Sequence, residues 1–152
     1  MNEIVRFQTR SAEETARLGE RIGRLLRAGD LVLLKGELGS GKTVLVRGVC
    51  RAFGCEKRVR SPSFVLVREY DADPVIFHID LYRLTASRDW PNLGVEDRMA
   101  QGVALVEWGD RMDPRFAEGS LVVRLTAGER EEDRVVELRW SDRRLEALRG
   151  EP

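Results

Sequence analysis

The amino-acid sequence predicts an α/β fold of three layers, with a mixed central sheet and β-hairpin insertions. Three observations carry this prediction. Short apolar runs of strand type alternate with segments of helical periodicity, the pattern of a sheet covered by helices. Two pairs of such runs are joined by short polar turns, which read as hairpins and make the sheet mixed. At one place an apolar run, a glycine-rich turn and a helical pattern follow each other without a break, at residues 31–53. The turn, 36–43, reads Gly-Glu-Leu-Gly-Ser-Gly-Lys-Thr and fits G-x-x-x-x-G-K-[ST], the phosphate-binding P-loop. The fold expected is therefore P-loop NTPase-like, in one domain over residues 1–152.

In chain order, residues 3–9 are β-prone through Ile4, Val5 and Phe7. Ser11 and Glu14 form the S-x-x-E capping box of a first helix. Its buried stripe is Leu18, Ile22, Leu25 and Leu26, and Gly29 is its expected end. A strand at 31–35 leads into the phosphate loop, and a second helix is expected from Lys42 to Phe53, with Gly54 as its stop. Residues 56–60 read as a loop or the start of a strand. Pro62 stiffens 61–64 and biases Ser61 away from helix. Strands are expected at 64–70 and 75–80 around a turn at 71–74, then a loop or short helix at 81–84 and a loop at 85–90. Residues 91–101 have helical character, ended by Gly102 before an apolar strand at 103–107. Two alternating strands, 120–126 and 134–140, flank a charged turn, and Ser141 opens a short terminal helix with Leu145 and Leu148 inward.

The glycines of the phosphate loop let successive N–H groups point at phosphate oxygens, so residues Glu37, Leu38, Gly39, Ser40 and Gly41 line the expected nucleotide contact. Lys42 is expected at the β- and γ-phosphates, and the Thr43 hydroxyl on Mg²⁺. The second helix turns its positive end to the same anion. Two apolar strands end in carboxylates, Asp80 and Glu107, either of which suits Mg²⁺ or an attacking water. Ser61 and Ser63 occupy the position of a switch loop. His78, the single histidine, reads as structural rather than as a general base. Trp108 is open to three readings: core packing, base stacking or closing a site. Arg83 and Arg111 are candidates for phosphate contact in an arginine-rich chain. None of the three lysines is followed by x-D, so the guanine-reading N-K-x-D is missing and ATP is favoured over GTP.

The formal net charge is zero, which argues against a free-standing nucleic-acid binder. No apolar run reaches the length of a membrane span, and the first residues lack a secretory apolar core, so a cytoplasmic protein is expected. Cys50 and Cys55 are not in a C-x-x-C pattern and read as reduced, partly buried thiols.

Together the phosphate loop, Ser61-Pro62-Ser63-Phe64, His78-Ile79-Asp80-Leu81-Tyr82-Arg83-Leu84, Leu93-Gly94-Val95-Glu96-Asp97 and Val106-Glu107-Trp108 resemble the TsaE family, also called YjeE. That family comprises small ATPases of bacterial tRNA threonylcarbamoyladenosine biosynthesis. The resemblance runs from the first helix to Arg111. Ser63 stands where threonine is usual, and Gly109-Asp110 where Pro-Glu is frequent, so no role passes to Asp110. The resemblance implies Mg-ATP hydrolysis that resets a complex with TsaD and TsaB, which modifies adenosine at position 37 of certain tRNAs, the tRNA contact being indirect. It also implies that Lys42 and Thr43 serve phosphate and Mg²⁺, that Asp80 and Glu107 serve metal and water, and that Trp108 lies beside the nucleotide. Two rival readings are a small-molecule phosphotransferase, with 85–97 as a lid, and a nucleotide-sensing module without hydrolysis.

Overall fold

The computed structural model describes residues 3–37, 39–59, 67–81, 97, 100–108 and 119–150. Seven strands form one sheet: β1 (Glu3–Thr9), β2 (Leu31–Lys35), β3 (Val67–Tyr70), β4 (Val75–Asp80), β5 (Gly102–Glu107), β6 (Leu121–Ala127) and β7 (Arg134–Trp140). Their spatial order is β1-β7-β6-β2-β5-β4-β3, with β2 at the centre. The central pairs β6–β2, β2–β5 and β5–β4 are parallel. The outer pairs β3–β4, β6–β7 and β1–β7 are antiparallel. The mixed sheet and both hairpins are thus as the sequence predicts.

Burial follows from this order. Central β2 and β5 are covered on both faces and read as continuous apolar runs, whereas β6 and β7 alternate. One face carries helices α1 (Ala12–Gly23) and α2 (Lys42–Ala52). Their stripes, Leu18 and Ile22 with Leu45, Val46 and Val49, pack on Val32, Leu34, Val103, Leu105, Val123 and Leu138. Leu31, Leu33, Phe77, Ile79, Ala104 and Val106 form a smaller core on the opposite face. The helices touch almost backbone to backbone. A Cβ on Gly48 would stand 1.9 Å from the Ala16 carbonyl oxygen, and one on Gly19 2.3 Å from that of Leu45.

Several local expectations change. Helix α1 ends at Gly23, not Gly29. Leu25 and Leu26 donate to Ile22 and Gly23 carbonyls in i→i−3 bonds, so the chain tightens into turns while Leu26 stays buried. Residues Glu56–Arg58 form one turn of 3₁₀ helix rather than a loop or strand start. The terminal helix, Arg143–Arg149, is also 3₁₀, capped by Asp142; its i, i+3 spacing is what buries Leu145 and Leu148 together. Gly102 is the first residue of β5, and a Cβ there would meet the Val75 carbonyl oxygen at 2.1 Å. The capping box forms in modified shape: Ser11 Oγ accepts from Glu14 N–H at 3.1 Å, and the Glu14 carboxylate accepts from Arg10 N–H. Cys50 and Cys55 are free thiols and fully, not partly, buried. Of the strand expected at 64–70 only 67–70 is described. The expected switch loop (61–64), the segment 82–96 and residues 109–118 lie outside the described residues, and Asp97, Ala100 and Gln101 are helical.

Candidate functional site

The centre of the sheet feeds directly into the phosphate loop. Strand β2 ends at Lys35, the loop turns through Gly39 and Gly41 at φ +80° and +102°, and α2 starts at Lys42. Only glycine takes these angles without penalty. Gly41 is the helix N-cap and offers no side chain to the first-turn N–H groups. No acidic residue stands in that turn either. The end of α2 is therefore left positive and open to an anion. Ser40 Oγ is buried and has no hydrogen-bond partner among the described residues. These features fit a phosphate group.

Lys42 is buried at the base of the loop. Its ammonium donates to the carbonyls of Gly36 at 2.5 Å and Glu37 at 3.0 Å. It also lies 3.9 Å from the ring centre of Trp108, a cation–π contact. Trp108 follows β5 with φ 64°, a left-handed conformation that costs a non-glycine residue about 1–2 kcal/mol. This left-handed turn sets the aromatic ring against the loop lysine. Glu37 and Gly39 are exposed, Gly41, Thr43 and Trp108 are half-buried, and Leu38 lies outside the described residues. A cleft of about 280 Å³ opens between the loop, Trp108 and the end of β6 at Arg124, Leu125, Thr126 and Ala127.

Both predicted carboxylates meet at this end of the sheet. Asp80 and Glu107 are register partners on adjacent parallel strands, and Glu107 is also paired with Leu34, just before the loop. Strand alternation puts Asp80 and Glu107 on the face of Ile76, Val103 and Leu105, which is the face that α2 covers. Both are buried. Glu107 is held from the side: its Oε2 lies 2.5 Å from His78 Nε2, and His78 Nδ1 lies 2.8 Å from the Tyr70 hydroxyl. A neutral imidazole satisfies both contacts when Tyr70 donates to Nδ1 and Nε2–H donates to Glu107. His78 is fully buried with both ring nitrogens engaged, so it orients Glu107 and is a satisfied residue, as the sequence suggests. Among the described residues no three His, Cys, Asp or Glu side chains gather into a metal cluster.

Sequence reasoning misses two contributors. Tyr70 is one; it is the diagonal neighbour of His78 across the β3–β4 hairpin, a relation that becomes visible once the register is known. Arg134 is the other. It reaches from β7 to the carbonyls of Ser40 and Gly39 in the loop, at 2.8 and 3.1 Å. Ser61, Ser63, Arg83 and Arg111 lie outside the described residues.

Comparison with known proteins identifies the family and the fold. The model of the family described as threonylcarbamoyl adenosine biosynthesis protein TsaE matches residues 9–136. A tRNA threonylcarbamoyladenosine biosynthesis protein TsaE from Treponema pallidum is 35% identical over 122 residues, 80% of this chain and 90% of that protein. One from Streptomyces coelicolor is 40% identical over 112 residues, 71% and 76% of the two chains. The crystal structure of YdiB from Bacillus subtilis superposes with a TM-score of 0.72 at 24% identity, covering 97% of this chain and 93% of that one, and so shares the fold. With the family model spanning the phosphate loop, both carboxylate strands and the start of β7, and with these relatives matched over most of their length, the chain belongs to the TsaE family of threonylcarbamoyladenosine biosynthesis proteins.

Proposed function

We propose that this protein binds and hydrolyses Mg-ATP in support of tRNA threonylcarbamoyladenosine modification. The observation that carries the reading is the pairing of Asp80 with Glu107 beside β2, at the sheet end from which the phosphate loop leaves. A P-loop that only bound phosphate would not need two buried acids there. Lys42, freed from its loop carbonyls, carries its charge to the β- and γ-phosphates. Thr43 and one carboxylate hold Mg²⁺, which neutralises phosphate charge when bound. The other carboxylate orients the attacking water. Glu107 suits that second part, because the Tyr70–His78 chain fixes its carboxylate in one direction. Trp108 lies beside the nucleotide and covers the Lys42 ammonium.

Among the described residues no second lobe seals the site. Its rate alone is accordingly expected to be low and to rise in a complex with TsaD and TsaB, tRNA being reached through those partners. Calorimetry with Mg-ATP, on the parent and on Lys42→Ala, tests the nucleotide site. The parent binds, and the variant loses at least about tenfold in affinity, the worth of a charge-assisted contact. Equal affinities would place ATP elsewhere.

A further inference from the structure

The geometry points to Arg134 as a positioning residue that sets the shape of the phosphate loop from the far hairpin. This rests on the nucleotide reading above. Arg134 opens β7, and its guanidinium is gripped from two sides. On the hairpin side Nη1 donates to the carbonyls of Glu131 and Asp133, at 2.8 and 2.7 Å. On the loop side Nε donates to Ser40 O at 2.8 Å and Nη2 to Gly39 O at 3.1 Å. The planar fork is thus fixed by the hairpin and holds two successive loop carbonyls.

The consequence follows from peptide planarity. A carbonyl and the N–H of the next residue point in opposite directions across one rigid plane. With Gly39 O on Arg134 and Ser40 N–H on the Glu37 carbonyl at 3.0 Å, the Gly39–Ser40 peptide is fixed at both edges. With Ser40 O on Arg134, the Gly41 N–H is turned away from the guanidinium. Two carbonyls whose negative ends would repel a phosphate are drawn outward and neutralised. The loop is shaped before nucleotide arrives, which removes ordering entropy from binding. Lysine cannot reproduce this, since it offers a point charge and not a fork.

Arg134→Gln is expected to weaken Mg-ATP and ADP alike, by about 10–100-fold in calorimetry, because both depend on the same loop. KM should rise in parallel while kcat at saturating ATP stays within about threefold, since Arg134 touches no reacting atom. Arg134→Lys should recover only part of the affinity. Arg134→Ala should regain affinity in millimolar guanidinium, a rescue that a general loss of packing would not show. Arg139→Gln, which removes a charge further along β7, should bind as the parent does. Affinity within twofold of the parent in Arg134→Gln would overturn the proposal, and so would an equal loss in Arg139→Gln. A parent that gives no heat with Mg-ATP would overturn the nucleotide reading together with it.

Discussion

At the scale of single residues, a buried hydrogen-bonded chain runs from Tyr70 through His78 to Glu107. All three are buried, so each polar atom depends on its neighbour. Tyr70→Phe strands His78 Nδ1 in the core and is expected to cost about 1–3 kcal/mol in urea unfolding. It should also slow ATP hydrolysis with little change in ATP affinity, because Glu107 loses its fixed direction while the phosphate loop is untouched. Asp80→Asn and Glu107→Gln keep the shape and remove charge. Both are expected to bind ATP and to release phosphate more slowly than the parent under the same partner conditions. A parent rate in either would remove that residue from the chemistry. The acids and the loop lysine were legible in the sequence because strand ends and the P-loop pattern are local signals. Arg134 was not, because in an arginine-rich chain only the fold says which guanidinium reaches the loop.

At the scale of elements, the contact between α1 and α2 has no room to spare. Gly48 and Gly19 let the two backbones meet, and a methyl on Gly48 would collide with a backbone oxygen that no rotamer change can move. Gly48→Ala is expected to destabilise the protein by about 3 kcal/mol, the upper part of the usual range for overpacking. For a domain of this size that is a fall in melting temperature of about 6–12 °C, measurable by calorimetric scanning. The strands were legible because their apolar patterns are strong and bounded by turns. The helix ends were less so. Leu25 and Leu26 keep helical spacing after the helix has stopped, because turns of 3₁₀ type bury the same side chains. The pairing of β1 with β7 was not legible at all, since nothing in either strand names a partner more than a hundred residues away.

At the scale of the whole molecule, Arg144 ties the terminal 3₁₀ helix to the segment before β2. Its guanidinium meets Asp30 at 2.7 Å, the Leu25 carbonyl at 2.9 Å and Asp142 at 3.0 Å. The backbone N–H of Arg144, and then its side chain, hold the Asp142 carboxyl below its ordinary value of 3.8. A lowered carboxylate contributes stability that is complete above the unfolded value and is lost as pH falls through the folded one. The terminal helix is therefore expected to loosen below about pH 4, before the helix-covered core does. Amide exchange of residues 143–149 compared with α2, at pH 6 and pH 3, checks this. The same scale governs turnover. A cation supplied from outside to the developing charge can be worth about 10³–10⁵ in rate. Phosphate release by the pure chain is expected to be slow and to rise on adding TsaD and TsaB. Full turnover alone, unchanged by those partners, would favour a self-sufficient phosphotransferase.

The position of β2 has a consequence for how the protein is made. Both of its neighbours, β5 and β6, come from the second half of the chain. During synthesis the phosphate loop leaves the ribosome early, on a strand with nothing yet to pair with. It acquires its walls only when residues 102–127 have followed. On the nucleotide reading, ATP is not expected to template the nascent N-terminal half, because a chain halted before β5 lacks the strands that flank the loop. Such a halted chain is expected to show no protection by ATP against proteolysis, whereas the complete chain does.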